Sequence, residues 1–282
     1  MERRSDIPSV KAYLRARQAQ GLRVGLVPTM GALHDGHLSL VRFAKARADI
    51  VVATVFVNPK QFGPSEDLSR YPRDLEGDAQ KLASAGCDLL FLPDIKVMYP
   101  EGFKTTVSVR GVTEGLCGSA RPGHFDGVTT VVLKLFSIVR PDVAVFGEKD
   151  YQQLIMIRAM VRDLDMPVEI IGAPIIRAAA GTLALSSRNR YLSVEDMDTV
   201  TMFPRILQDT AVLIEALRHS EQGATRETLR ALTEAAKEIL LASGIPSIDY
   251  IEVRHADTLE KPNDCRTEPL RLLAAVRIGG VR

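Results

Sequence analysis

Residues 24–41 constrain the fold more than any other stretch of the chain. They read Val24-Gly25-Leu26-Val27-Pro28-Thr29-Met30-Gly31-Ala32-Leu33-His34-Asp35-Gly36-His37-Leu38-Ser39-Leu40-Val41. The apolar run at 24–27 reads as a buried parallel strand, and Pro28-Thr29-Met30-Gly31 as the turn that ends it. A helix is expected to begin at His34-Asp35-Gly36-His37, with Leu38, Leu40 and Val41 starting its apolar side. A strand, a glycine-containing loop and a helix N-terminus form an anion site, because unpaired N–H groups point outward there. Two imidazoles at its mouth are placed to donate hydrogen bonds to phosphate oxygens.

The second core strand is expected from Asp49 onward, through Ile50-Val51-Val52-Ala53-Thr54-Val55-Phe56-Val57. A run so rich in β-branched residues fits a strand covered on both faces. It stops at Asn58-Pro59-Lys60-Gln61. In open α/β sheets the residues just beyond strand ends line the ligand crevice, which favours Asn58 and Gln61, although Asn-Pro is also a common turn. Further elements are expected as helices over 9–20 and 75–85 and strands over 88–92 and 105–109. A long polar, glycine-rich loop over 116–128 carries Arg121, His124 and Asp126, and an apolar helix follows over 129–138. The β-α-β-α-β order predicts a doubly wound parallel sheet.

A second junction of the same kind follows the strand at 142–146. Gly147 permits a close turn, and Lys149 and Asp150 stand at the head of the next helix, where Asp150 also reads as a cap. The strand over 168–176 leads to Ser186-Ser187-Arg188-Asn189, whose hydroxyls, guanidinium and amide can wrap a phosphate chain. Ser193 and Asp196 read as a capping box. The remainder is expected to be a small α+β domain, with helices over 198–219 and 225–242 and strands over 248–253 and 270–278. His255 reads as structural or solvent-exposed.

Composition narrows the function classes. The 282 residues are 46% hydrophobic, enough for a sizeable core, and 36 basic against 35 acidic residues leave a formal charge of +1. That balance makes no case for a nucleic-acid surface. Cys87, Cys117 and Cys265 form no metal or redox motif, no signal peptide is evident, and no apolar run is long enough to cross a membrane, so a cytoplasmic protein is expected. Neither Gly-x-Gly-x-x-Gly at the first strand nor Gly-x-x-x-x-Gly-Lys-Ser/Thr occurs, which removes the main support for a dehydrogenase or a P-loop enzyme. His34 and His37 lack a convincing third metal ligand nearby in sequence.

Six segments together resemble the pantothenate synthetase, or pantoate–β-alanine ligase, family. They are residues 28–37; Phe56-Val57-Asn58-Pro59-Lys60-Gln61-Phe62; Tyr71-Pro72-Arg73; Arg121-Pro122-Gly123-His124-Phe125; Phe146-Gly147-Glu148-Lys149-Asp150-Tyr151-Gln152-Gln153; and residues 186–193. His-x-Gly-His alone marks only a wider nucleotidyltransferase superfamily. The whole set, in this order, is far more specific.

The resemblance implies a Rossmann-like catalytic domain over residues 1–180, a smaller α+β lid domain over 181–282, and a homodimer without nucleic-acid or membrane partners. It implies that pantoate carboxylate attacks the α-phosphorus of ATP, which carries Mg2+, and that β-alanine then takes the acyl group from pantoyl adenylate. It implies catalytic roles for His34, His37 and Lys149 at the ATP phosphates, with Ser186, Ser187 and Arg188 on the triphosphate. Met30, Gly147, Asp150 and Ile176 are implied in the ATP site, Gln61 and Gln153 in pantoate binding, and Asn58 and Arg121 in the site wall. No protein-bound metal is implied.

The chemistry agrees. A carboxylate meeting a polyphosphate needs cationic neutralisation, two amides suit a diol, and no covalent nucleophile is required. Two rivals remain at this level: a nucleotidyltransferase acting on a phosphorylated acceptor, and a nucleotide-binding protein without activity. Two departures stand out. Where the family has acidic residues before the Ser-Ser-Arg-Asn loop, this chain has Arg177-Ala178-Ala179-Ala180-Gly181-Thr182, one residue longer, which bears on loop closure and metal handling. The family's Arg-Leu-Ile-Asp-Asn tail has no counterpart in Ile278-Gly279-Gly280-Val281-Arg282, which bears on lid packing.

Overall fold

The computed structural model describes every residue except Ser65, Ala179, Ala180, Gly181, Gln222 and Val281. Most of the atypical run at 178–182 and one residue of the chain end therefore lie outside the described residues. In chain order the elements are β1 (Glu2–Arg4), α1 (Ile7–Gln18), β2 (Val24–Thr29), α2 (Asp35–Lys45), β3 (Ile50–Val55), α3 (Leu75–Ser84) and β4 (Leu89–Phe91). There follow α4 (Ile95–Met98), α5 (Leu116–Ala120), α6 (His124–Val139), β5 (Val143–Gly147), α7 (Tyr151–Asp163) and β6 (Glu169–Ala173). Last come α8 (Val194–Val200), α9 (Met202–His219), α10 (Arg226–Ala242), β7 (Ser247–His255) and β8 (Leu270–Arg277). The chain divides into two compact units, Met1–Thr113 with Arg121–Ile176, and Glu114–Ala120 with Arg177–Arg282.

Among the described residues, six strands of the first unit form one parallel sheet in the order β1-β4-β3-β2-β5-β6. From β2 the chain moves outward through β3 and β4, then returns to lay β5 on the opposite flank of β2. The order therefore reverses between β2 and β5, and the ligand crevice of such a sheet opens beyond their C-terminal ends. β2 and β3 pair in register from Val24 opposite Ile50 to Thr29 opposite Val55. Val27, Val51, Ala53, Leu90 and Val145 of the sheet bury against Leu33, Val41, Ala44 and Leu82 beside it. This is the Rossmann-like doubly wound fold that the strand and helix order predicts.

The second unit packs Val200, Ile206, Ala236, Leu240, Ile251 and Val276 into its own core. Its β7 and β8 pair antiparallel, with an irregularity between Ile248 and Tyr250.

Several elements differ from expectation. β1 was not read in the sequence; three residues at a sheet edge are too short to show a period. Residues 105–109 form no strand, and the Val107 amide donates instead to Thr130 Oγ1 at 3.0 Å. The loop over 116–128 is largely helical: α5 occupies part of it, and α6 starts at His124 behind Gly123, whose φ of +78° suits glycine. The helix expected over 198–219 is two, α8 and α9, meeting at Thr201. Pro204 has no N–H for the turn before it, so a continuous helix is interrupted there.

Close approach sets α2 against the sheet. A Cβ on Gly25 would lie 3.1 Å from Ala48 Cβ and 3.4 Å from Ala44 Cβ. Gly25→Val must then push α2 away, and the expected loss is about 1–3 kcal/mol of unfolding free energy. Urea unfolding measures it; an unchanged midpoint and slope would show that α2 does not depend on this contact.

Candidate active site

The loop leaving β2 is shaped by one buried carboxylate. Asp78 of α3 accepts from Ala32 N through Oδ2 and from Leu33 N through Oδ1, both at 2.7 Å. Lys81, one turn further on, donates Nζ to Leu33 O at 3.0 Å. Gly31 and Ala32 both take left-handed backbone, with φ of +86° and +53°. At Gly31 a Cβ would sit 3.0 Å from both Asp78 Oδ2 and Val55 Cγ1, so the carboxylate and the glycine require each other. Gly31 N also donates to Thr29 Oγ1 at 3.2 Å.

This loop delivers His34 to the N-cap of α2. His34 Nδ1 accepts from Gly36 N at 3.1 Å, and His37 Nδ1 accepts from His34 N at 3.4 Å. The two rings lie 4.1 Å apart between centroids. With Nδ1 accepting, a neutral ring carries its proton on Nε2, turned away from the backbone it caps. Burial first, then the electrostatic influence of neighbouring His34 and Lys149, pulls His37 down to about 3; Asp150 opposes them. His37 is therefore a neutral donor at pH 7.

Lys149 and Asp150 reach His37 electrostatically from the second junction, where β5 ends at Gly147 and a 3-10 turn, Glu148–Asp150, leads into α7. The two junctions thus share one site. Lys149 Nζ lies 3.6 Å from Asp150 Oδ1, with both side chains well exposed. Asp150 stands at the N-cap of α7 but its side chain makes no capping bond there, so the capping role considered for it is not the one it fills.

A third segment joins the loop through Met30. Gln61 Nε2 donates to Met30 Sδ at 3.0 Å, and Gln61 Oε1 accepts from Asn58 Nδ2 at 3.0 Å. Asn58 is itself fixed: Nδ2 also donates to Gly127 O at 3.0 Å, and Oδ1 accepts from Tyr99 OH at 2.8 Å. Both side chains are buried at the 3-10 turn Pro59–Gln61 that follows β3. Gln153 sits in the first turn of α7, half-buried. Arg121 forks onto Glu66, with Nε to Oε1 at 2.6 Å and Nη2 to Oε2 at 2.7 Å. Ile176 closes the first unit, beyond β6 and partly exposed.

Ser186, Ser187 and Arg188 belong to the second unit. Ser186 Oγ accepts from Arg188 N at 3.3 Å and heads the 3-10 turn Ser187–Tyr191, with Ser187 buried. The capping box of Ser193 and Asp196 forms as expected. His255 Nδ1 accepts from Asp257 N at 3.1 Å, a turn-forming role. Among the described residues no cluster of three or more His, Cys, Asp and Glu side chains is arranged to hold a metal ion, and no helix is long and apolar enough to cross a membrane.

Sequence reasoning missed Asp78, Lys81, Tyr99 and the roles of His124 and Gly127. Asp78 left one signal. It lies beside the Leu75, Ala79, Leu82 stripe of α3, on the side where an unpaired carboxylate is rarely tolerated.

A doubly wound α/β sheet with paired imidazoles and a lysine at its switch point defines a nucleotide-site protein of the Rossmann-like class. Within that class, the chain belongs to the pantoate-beta-alanine ligase family, whose model matches residues 3–282. It is 51% identical over 277 residues to the pantothenate synthetase of Rhodospirillum rubrum, covering 98% of this chain and 95% of the relative. The pantothenate synthetase of Thermus thermophilus superimposes with a TM-score of 0.86 at 45% identity, over 98% of this chain and 95% of the other. The pantoate-beta-alanine ligase of Francisella tularensis, crystallised with beta-gamma ATP and beta-alanine, matches with a TM-score of 0.79 at 35% identity, over 100% and 95%.

Two imidazoles of opposite tautomer are a measurable consequence. His37 carries its proton on Nε2. His124 carries it on Nδ1, which faces Gln61 O at 2.8 Å, because Arg121 Nη1, able only to donate, faces its Nε2 at 2.9 Å. Burial and Arg121 lower His124 to about 4. Unfolded imidazoles take up a proton near 6.5. The unfolded state thus binds more protons as pH falls below that value, and this contribution to stability is lost between 6.5 and about 3. Ring nitrogen NMR at about pH 5 is expected to show both rings neutral. A titration near the ordinary value would contradict the burial and the bonding described.

Proposed function

We propose that the chain condenses pantoate with β-alanine at the expense of ATP, giving pantothenate, AMP and pyrophosphate through pantoyl adenylate. The observation that carries this reading is the family match along residues 3–282, joined to paired imidazoles, His37 among them neutral, and Lys149 at one switch point. The ATP and β-alanine named in the Francisella complex support it.

In the first step a pantoate carboxylate oxygen bonds to the α-phosphorus as the bond to pyrophosphate breaks. His34 and His37 donate through Nε2–H to phosphate oxygens as charge develops on them. His37, held neutral, supplies direction rather than charge. Neutralisation falls to Lys149, to the N-terminus of α2, to Arg188 beside Ser186 and Ser187, and to Mg2+ that arrives with the triphosphate. Gly147, Asp150, Met30 and Ile176 shape the nucleotide site. Gln61 and Gln153 take the pantoate hydroxyls and carboxylate. Asn58 keeps the Gln61 amide from flipping, since its own Nδ2 can only donate to Gln61 Oε1. In the second step the amine of β-alanine bonds to the acyl carbon, AMP leaves with the bridging oxygen, and the amine proton passes to solvent. Positioning and electrostatics carry both steps. The reading extends to a cytoplasmic homodimer, a setting that suits three free cysteines.

Mass detection of pantothenate from ATP, pantoate and β-alanine tests the reading, together with pantoate-dependent pyrophosphate release when β-alanine is withheld. His34→Ala is expected to lower kcat about 10²–10³-fold, while the lost cap costs about 1 kcal/mol of stability. ATP binding without product at high enzyme concentration would contradict the assignment, as would normal turnover in the His34→Ala chain.

A further inference from the structure

The first turn of α6 lies against the Pro59–Gln61 turn more closely than any side chain would allow. A Cβ on Gly127 would fall 2.2 Å from Lys60 O and 2.6 Å from Gln61 N. Across this contact the Gln61 carbonyl meets two groups: His124 Nδ1 at 2.8 Å and Arg121 Nη2 at 3.3 Å. His124 is buried, and its Nε2 is occupied by Arg121 Nη1. Arg121 is held in turn by the two-point fork to Glu66, whose Oε2 also accepts from Gly63 N at 3.2 Å. Burial alone would raise the Glu66 carboxyl, but the Arg121 hydrogen bonds and charge outweigh it and hold the group at about 2. Glu66 and Arg121 are thus a permanent ion pair at neutral pH. The three side chains leave His124 one tautomer, the one that donates to Gln61.

We infer that Glu66, Arg121 and His124 form a clamp on the Gln61 backbone that sets the glutamine side chain for pantoate. They are positioning residues for the acid substrate, and Arg121 works through Gln61 rather than as a wall against the ligand. The inference rests on the reading that Gln61 binds pantoate. The backbone end of Gln61 is fixed by the clamp and the amide end by Asn58 and Met30, so the residue has little freedom left to adapt to a different acid. Among the described residues the clamp makes no hydrogen bond to a group assigned to ATP except through Gln61, although His124 also feels the charge of Asp150.

Steady-state kinetics on His124→Phe, His124→Asn and Glu66→Gln test it, with thermal unfolding run on each. His124→Phe keeps the ring volume and removes the donor; the pantoate KM is expected to rise about tenfold, the equivalent of one lost hydrogen bond. The ATP KM is expected to stay within about twofold, because the β2–α2 loop is untouched. His124→Asn returns an N–H near the Nδ1 position and is expected to recover most of the loss. Glu66→Gln is expected to raise the pantoate KM alone, by less. Parallel rises in both KM values would overturn the clamp, as would an asparagine variant no better than phenylalanine. If His124→Phe does not fold, Glu66→Gln decides: an unchanged pantoate KM in that folded chain overturns the inference. Absence of pantoate-dependent pyrophosphate release from the unaltered chain would instead strike the functional reading on which it rests.

Discussion

The carboxylate of Asp78 and the two successive N–H groups it accepts are the contact on which the site depends. A buried carboxylate is costly unless its lone pairs are filled, and a left-handed turn at a non-glycine residue such as Ala32 persists only if its surroundings enforce it. Each problem answers the other. Hydrogen bonds to a charged acceptor contribute about 1.5–3 kcal/mol each, enough to hold the loop against its strain. The loop then enters α2 at the angle that makes His34 its cap. Without Asp78 the strand and helix would remain, but the imidazoles would lose their fixed relation to the end of β2.

The capping arrangement decides what the imidazoles are. Because both turn Nδ1 toward backbone amides, they face outward as Nε2–H donors. Burial keeps His37 neutral, so this ring adds no second cation beside Lys149. A polyphosphate approaching this crevice meets directed donors from one junction and a well-exposed cation from the other. That division fits a reaction in which charge shifts among phosphate oxygens while no protein atom forms a bond to substrate.

Much of this was legible in the sequence because it rests on local pattern. The β-branched run of β3 and the apolar start of β2 reveal buried parallel strands. The glycines and polar residues after β2, β3 and β5 mark crevice loops, and the order of segments carries the family. The roles of Asp78 and His124 were not legible, because they depend on contacts across tens of residues. Asp78 reaches back to Ala32, and His124 to Gln61. A polar, glycine-rich stretch carrying Arg121, His124 and Asp126 reads as a loop with little to bury; the burial of His124 follows from Gly127 letting α6 approach the Pro59–Gln61 turn. The strand expected over 105–109 does not form, because the Val107 amide is taken by Thr130. Pro204 was present in the sequence and should have divided the helix over 198–219, since its effect on the preceding turn is local.

The central claim is that pantoate carboxylate attacks phosphorus, so that the bond to AMP contains an oxygen that began in pantoate. Pantoate labelled with oxygen-18 in its carboxylate, turned over with ATP and β-alanine, puts this to a direct test by mass spectrometry of the nucleotide product. The account predicts a single labelled oxygen in AMP and none in pyrophosphate. Unlabelled AMP, or label in the phosphates released, would show that activation takes another route and would contradict the account.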